Sequence, residues 1–289
     1  MISPVLFIVF NRPDTTRQVF EAIRAAKPPR LYISSDGPRA GRAGEHALCE
    51  QVQQVLTDVD WPCKVQRLIR KENLGCKLGV SSAIDWFFEN EEEGIILEDD
   101  VLPLPSFFNF CDELLDRYRT NEKITMISGC NLVSKRYRPS ESYFFSRYCH
   151  IWGWATWRRA WKNYDVSMTD WPNWCANDGL SEFVNLTPQL AEFWKKIFDA
   201  VHSGKVDTWD YQWVFSCWKT GGLSVIPETN LTSNIGFRAD ATHTVMEIPP
   251  CVLESSPQDL GFPLVAPRDV LRGKLADSII ERYVFGHHP

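Results

Sequence analysis

The sequence predicts an α/β protein with a doubly wound, mostly parallel sheet, from three observations. Over the first 135 residues, short apolar runs alternate with segments whose apolar residues recur at helical spacing, giving the order β-α-β-α-β-α-β-α-β. The first run, residues 4–10, is continuously apolar, as in a strand covered by helices on both faces. The runs also stop at polar or turn-forming groups, Asn11-Arg12, Asp36-Gly37 and Glu98-Asp99-Asp100, at the carboxyl ends where such sheets bind ligands.

Residues 4–10 are the first strand. Asp14 stands at a capping position, and Val19, Phe20 and Ile23 give the first helix its apolar face. Residues 31–35 are the second strand, stopped by the turn pair Asp36-Gly37. Leu48, Val52, Val55 and Leu56 mark a second helix, and residues 64–69 a third strand. Val80, Ile84, Phe87 and Phe88 place a third helix, and residues 94–97 a fourth strand. Phe107, Phe108, Cys111, Leu114, Leu115 and Tyr118 follow as a fourth helix before a fifth strand at 124–128. Crossovers of this kind join parallel neighbours.

After about residue 135 the alternation stops. Ten of the twelve tryptophans lie between Trp152 and Trp218, residues 222–250 hold short strand-like pieces, and 268–283 show a weak helical pattern. The terminal His287-His288-Pro289 reads as a solvated end. No repeat or low-complexity linker separates the parts, so one domain over 1–289 is expected, with halves 1–135 and 136–289 and a C-terminal tail.

Composition narrows the function. With 44% hydrophobic and 24% charged residues the chain folds. A net charge of −6 speaks against neutralising nucleic-acid phosphates. Nine cysteines without a C-x-x-C pair fit neither a zinc module nor a disulfide framework, and read as reduced thiols of a cytoplasmic protein. No apolar run reaches the roughly 20 residues that crossing a bilayer requires. The apolar start holds Pro4 and lacks a basic leader, so it reads as a buried strand and not a signal peptide.

The strongest chemical signal is Ile95-Ile96-Leu97-Glu98-Asp99-Asp100-Val101. Three successive carboxylates after a buried strand repel one another unless a cation joins them. Hard ions such as Mg²⁺ and Mn²⁺ favour carboxylate oxygens and leave positions open for phosphate. The neighbouring Glu89, Glu91, Glu92 and Glu93 read as a solvated acidic turn. A strand ending in Leu-Glu-Asp-Asp, then an apolar-proline stretch and an aromatic helix, resembles the metal-binding DxD-type element of GT-A glycosyltransferases, most nearly the N-acetylglucosaminyltransferase I group. The resemblance implies a GT-A fold, with 1–135 as the nucleotide-binding half and 136–289 as the acceptor-binding half. It implies that Asp100 holds Mn²⁺ or Mg²⁺ against a nucleotide-sugar diphosphate, while Glu98 and Asp99 face the nucleoside and donor sugar.

Further segments fit the same resemblance. Phe10, Asn11 and Arg12 end the first strand, where such enzymes place backbone and a basic group against the nucleotide; the fork of Arg12 suits phosphate oxygens. Asp36 corresponds to the acid that accepts the uracil imide proton, which favours a UDP-sugar, though a simple turn aspartate fits equally. Asn73-Leu74-Gly75-Cys76-Lys77 resembles the Asn-x-Gly loop over the nucleotide, with Asn73 and Lys77 as its polar members. Trp152, Gly153 and Trp154 resemble the glycine loop beside the donor sugar, whose apolar C–H faces suit aromatic rings. Trp157 and Trp161 are at helical spacing and read as packing.

Asp207-Thr208-Trp209-Asp210 opens an apolar helix and resembles the element whose acid deprotonates the acceptor hydroxyl. Asp210 is the first choice as base, and Asp207 is the rival or the helix cap. The segment from Ser233 to Thr244 resembles the late loop carrying a C-terminal histidine. That makes His243 a second metal ligand and Arg238 a diphosphate contact. The expected reaction is a metal-dependent, inverting sugar transfer from a UDP-sugar to a glycan or glycolipid hydroxyl in polysaccharide synthesis. The site would be cytoplasmic, with room for peripheral contact at a membrane-held acceptor. A sugar-nucleotide pyrophosphorylase is the enzymatic rival, but Asn11-Arg12-Pro13-Asp14 is a poor match to its glycine-rich loop. A carbohydrate-binding protein has no need of Glu98-Asp99-Asp100 together with Asp210.

Overall fold

The computed structural model describes residues 1–237 and 248–286. Its strands are β1 (Val5–Val9), β2 (Arg30–Ser35), β3 (Lys64–Ile69), β4 (Glu93–Glu98), β5 (Val101–Pro103), β6 (Ile124–Ser128), β7 (Tyr143–Ser146), β8 (Trp154–Trp157), β9 (Leu223–Pro227) and β10 (Thr232–Asn234). Its α-helices are α1 (Pro13–Ala26), α2 (Glu45–Val55), α3 (Gly75–Asn90), α4 (Pro105–Arg117), α5 (Arg158–Trp161), α6 (Trp171–Ala176), α7 (Pro188–His202), α8 (Asp210–Lys219), α9 (Pro250–Glu254) and α10 (Lys274–Tyr283). Among the described residues, eight strands join one sheet in the order β3-β2-β1-β4-β8-β6-β9-β7. β1, β2, β3, β4, β6 and β9 run one way, and β7 and β8 run against them. β5 and β10 form a separate antiparallel pair. The class is α/β on a mostly parallel sheet, as the alternating pattern predicts.

Burial follows strand periodicity. Val5, Phe7 and Val9 of β1 pack on one face with α1, α2 and α4, while Leu6 and Ile8 pack on the other with α3 and the aromatic residues around α8. Being covered on both sides, β1 is apolar throughout. A third cluster joins α7, α8 and α10 beside β7 and β9.

Two expectations change. α1 begins after Arg12 with Pro13 in its first turn, and Asp14 is an acidic first-turn residue rather than the cap. The run 124–128 is a strand, but β8 lies antiparallel between it and β4. Trp154 and Trp157 therefore belong to a sheet strand, because their bulk fills both faces between β4 and β6. β7, β8 and β9, from beyond residue 135, join the same sheet as the strands of the first half.

Candidate active site

β1, β2 and β4 end together on one side, at Val9, Ser35 and Glu98, and their carboxyl ends open into a cleft of about 590 Å³. The switch in strand order beside β1 creates that opening, as it does in doubly wound sheets generally. Opposite stands the segment 206–211 leading into α8, so both halves of the chain line it.

Directly after β4, Asp99 is buried and accepts the Phe10 backbone N–H at 3.1 Å. Arg12, at the end of β1, spans the next two acids: Nη1 lies 2.8 Å from Asp100 Oδ2, and Nη2 donates to Asp99 Oδ1. Burial pushes the Glu98 carboxyl up to about 8, with the charges of Asp100 and Asp99 adding. Burial also raises Asp99, to about 6, against the pull of Arg12. The pair of acids holds Arg12 charged despite its burial. Asp99 and Asp100 already have a cation in Arg12, and their carboxyl oxygens are hard donors of the kind Mg²⁺ or Mn²⁺ favours.

Asp36 lines the same cleft but is committed to its own loop. Its carboxylate accepts N–H groups from Leu74 (3.0 Å), Gly37 (3.1 Å) and the Asn73 side chain (3.0 Å). Burial raises its pKa, with those backbone donors pulling the other way. Its geometry is that of an organiser of the 73–75 turn. Gly75 in that turn has φ of +77°, and a Cβ there would meet Asp207 Oδ2 at 2.9 Å, so the position requires glycine.

Asp207 accepts the Cys76 N–H at 3.2 Å, in the first turn of α3. It therefore caps a helix, but α3 and not its own α8. Asp210 begins α8 and accepts a hydrogen bond from Thr208 Oγ1. Its backbone is fixed by Trp209, which stacks on Trp154 at 5.7 Å and 18°. Burial holds the Cys76 thiol protonated, reinforced by Glu98, Asp210, Asp207 and Asp100 in that order. Acids from both halves thus converge on one point of the cleft.

Of the sequence-predicted residues, Phe10, Arg12, Asp36, Asn73, Glu98, Asp99, Asp100, Trp152, Asp207 and Asp210 line the cleft. Asn11, Lys77, Gly153 and Trp154 do not. Asn11 is drawn aside to Glu45 at 3.0 Å. Lys77 lies in the first turn of α3 and is not among the lining residues. A Cβ on Gly153 would strike Thr232 at 2.8 Å, which makes it a packing glycine. Trp154 is 1% exposed within the aromatic core. Arg238 and His243 lie outside the described residues. The chain reaches toward them past Asp100: Ile235 N donates to the Asp100 carbonyl at 2.8 Å, and a Cβ on Gly236 would lie 2.2 Å from Asp100 Oδ2.

Two cleft cations went unread in the sequence, Arg39 and Arg70. Arg70 directly follows β3 and donates to Ser34 and Ser82 at 3.0 and 2.8 Å. The strand-end rule that singled out Arg12 applies equally to it. Arg39 sits in a loop, pairs with Glu45 and covers the Phe10 ring at 5.4 Å, and no local signal marks it.

Among the described residues no three histidine, cysteine or carboxylate side chains form a closed metal cage. The donor set fits the open kind of site, in which Mg²⁺ or Mn²⁺ takes one or two carboxylates and completes its shell with phosphate and water.

No family model matches the chain, and no curated protein matches it. Among solved structures it is similar to a mannosyltransferase from Pyrobaculum calidifontis in complex with GDP-Man and Mn2+, at 15% identity and a TM-score of 0.37, over 55% of this chain and 46% of that one. It is also similar to mouse xyloside xylosyltransferase 1 in apo form, at 11% identity and a TM-score of 0.36, covering 75% and 81%. A third likeness is to HddC from Yersinia pseudotuberculosis, at 9% identity and a TM-score of 0.34, covering 56% and 80%. The chain spans less than half the length of that mannosyltransferase, and the chemistry of the cleft rests on its own geometry.

Proposed function

We propose that this protein is a GT-A-type glycosyltransferase that moves a sugar from a nucleoside-diphosphate donor to an acceptor hydroxyl, with inversion. The observation that carries this is the meeting of Glu98, Asp99, Asp100 and Arg12 at the ends of β4 and β1 with Asp210 across one cleft. A binding protein for sugars has no use for this arrangement of acids.

The chain's own groups divide the work. Arg12, with Arg39 and Arg70 also lining the cleft, supplies positive charge for the diphosphate. Asp100 is the residue that would hold a divalent ion, which when bound neutralises the charge developing on the departing diphosphate. Trp152 lines the cleft as an apolar face for a sugar ring. Asp210 takes the acceptor proton as the new C–O bond forms and the bond to diphosphate breaks. One base implies one displacement, hence inversion. With Asp36 committed to its loop, the uridine preference rests on resemblance alone, and a glycan or glycolipid acceptor completes the reading.

The test is a panel of nucleotide sugars (UDP-, GDP-, ADP- and CDP-linked) titrated calorimetrically with and without Mn²⁺. One base class should bind, and Asp100→Asn should abolish the Mn²⁺-dependent part while leaving the melting profile in place. Failure of every panel member to bind would falsify the nucleotide reading, and unchanged Mn²⁺ dependence in Asp100→Asn would remove that residue as ligand.

A further inference from the structure

Asp99 and Asp100 are held by one guanidinium but are not equivalent. The Asp99 side chain is 4% exposed and its second oxygen is taken by the Phe10 N–H. The Asp100 side chain is 14% exposed, faces the cleft, and gives Oδ2 to Arg12 at 2.8 Å. Arg12 thus neutralises the carboxylate to which a divalent ion would bind. With Arg12 on Asp100 Oδ2, a divalent ion bound to the same carboxylate would stand a few ångströms from a second positive charge, and the two would compete for it.

We infer that Arg12 is the resident counter-ion of this acid pair, and that it releases Asp100 to a divalent cation when a diphosphate arrives to take the freed nitrogen. The inference rests on the nucleotide-diphosphate reading of the cleft. Arg12 has the reach for it. Its backbone is pinned where β1 passes into α1, with its carbonyl accepting the Thr16 N–H at 3.0 Å. Its side chain is 22% exposed on the cleft side. A forked guanidinium holds one carboxylate and one phosphate at once. Nη2 stays on the buried Asp99, which never loses its partner, while Nη1 exchanges Asp100 for a phosphate oxygen. Metal and donor then bind as a coupled pair, with the metal disfavoured while the diphosphate is absent.

Calorimetric titration of the whole chain tests this without measuring turnover. The first comparison uses MnCl₂ alone. Arg12→Gln should bind Mn²⁺ on the order of tenfold more tightly than wild type, within the range usual for coupled sites. The second adds, at saturation, whichever of UDP, GDP, ADP and CDP binds wild type. Wild type should gain Mn²⁺ affinity, the nucleotide should gain equally from Mn²⁺ by reciprocity, and Arg12→Gln should lose most of that gain. Arg12→Lys, whose single ammonium cannot bridge both acids as the fork does, serves if the glutamine variant does not fold, and should also bind Mn²⁺ alone more tightly. Equal or weaker Mn²⁺ binding by the folded variant overturns the inference, as does full coupling in Arg12→Gln. Lack of binding of UDP, GDP, ADP and CDP alike by wild type would instead count against the nucleotide reading, while the Mn²⁺-alone comparison still decides whether Arg12 guards Asp100.

Discussion

Asp207 and Asp210 are three residues apart, yet the fold gives them different work. Asp207 takes a backbone N–H of α3, which satisfies one of the donors every helix start leaves open. Asp210 faces the cleft with Thr208 as its donor. If Asp210 is the base proposed above, Asp210→Asn keeps the shape and removes the basicity, so donor binding should persist while transfer slows by roughly 10²-fold or more. Asp207→Ala should leave the chemistry intact and cost about 1 kcal/mol of stability, the scale of a lost cap. Kinetics with a true acceptor and denaturant melts of both variants separate these roles, because donor hydrolysis by water hides a missing base. A dead Asp207 variant beside a normal Asp210 variant would reverse the assignment.

At the scale of elements, the tryptophans build the wall that positions Asp210. Trp154 of β8, Trp209 and Trp213 pack together with Trp161, and the Tyr164 hydroxyl donates to the Trp209 carbonyl at 3.1 Å. Trp209 is 2% exposed. Trp209→Ala should therefore cost about 3–5 kcal/mol in denaturant unfolding, as large aromatic deletions do, and slow the proposed transfer by displacing Asp210. A loss under about 1 kcal/mol would show that the stack is not what fixes this segment. A second tie holds α10 to the sheet. Asp277 is fully buried and accepts from Ser146 Oγ at 2.5 Å and from Arg272 Nε, with Arg147 nearby. Glu281, one turn on, takes Arg147 and the Tyr148 hydroxyl. Asp277→Ala leaves two guanidinium groups without their shared acid and should cost about 3–5 kcal/mol. The same melts measure it, and a neutral effect would mean that solvent replaces the carboxylate.

Across the whole molecule, pH acts on stability through its buried groups. His150 is buried, which lowers its pKa from the ordinary 6.5 to about 4. The unfolded chain takes up this proton near pH 6.5 and the folded chain only near 4, so the contribution is complete above 6.5 and is lost as pH falls toward 4. It amounts to at most about 3 kcal/mol. Glu98 and Asp99, kept protonated to higher pH, slope the other way, so the informative quantity is the difference between wild type and His150→Asn. That difference should shrink as pH drops from 6.5 to 4 in chemical denaturation. A constant difference would place the His150 proton at its ordinary pKa.

The features legible in the chain alone are local and periodic. The apolar run of β1, the helical spacing of Val80, Ile84, Phe87 and Phe88, and the acids directly after β4 are legible because burial on two faces and strand ends leave marks within a few residues. Tertiary structure decided which distant segments meet. Only pairing in space inserts β8 between β4 and β6, turning Trp154 from a candidate sugar contact into core. Only the approach of the 206–211 segment to α3 makes Asp207 a cap for another helix and gives Gly75 its reason. Asp36 shows the same limit: a carboxylate at a strand end is visible in sequence, but the donors from Leu74 and Asn73 that occupy it come from the neighbouring strand's loop. Pattern records how much of a residue is buried, whereas its partner depends on long-range packing that no short window of sequence contains.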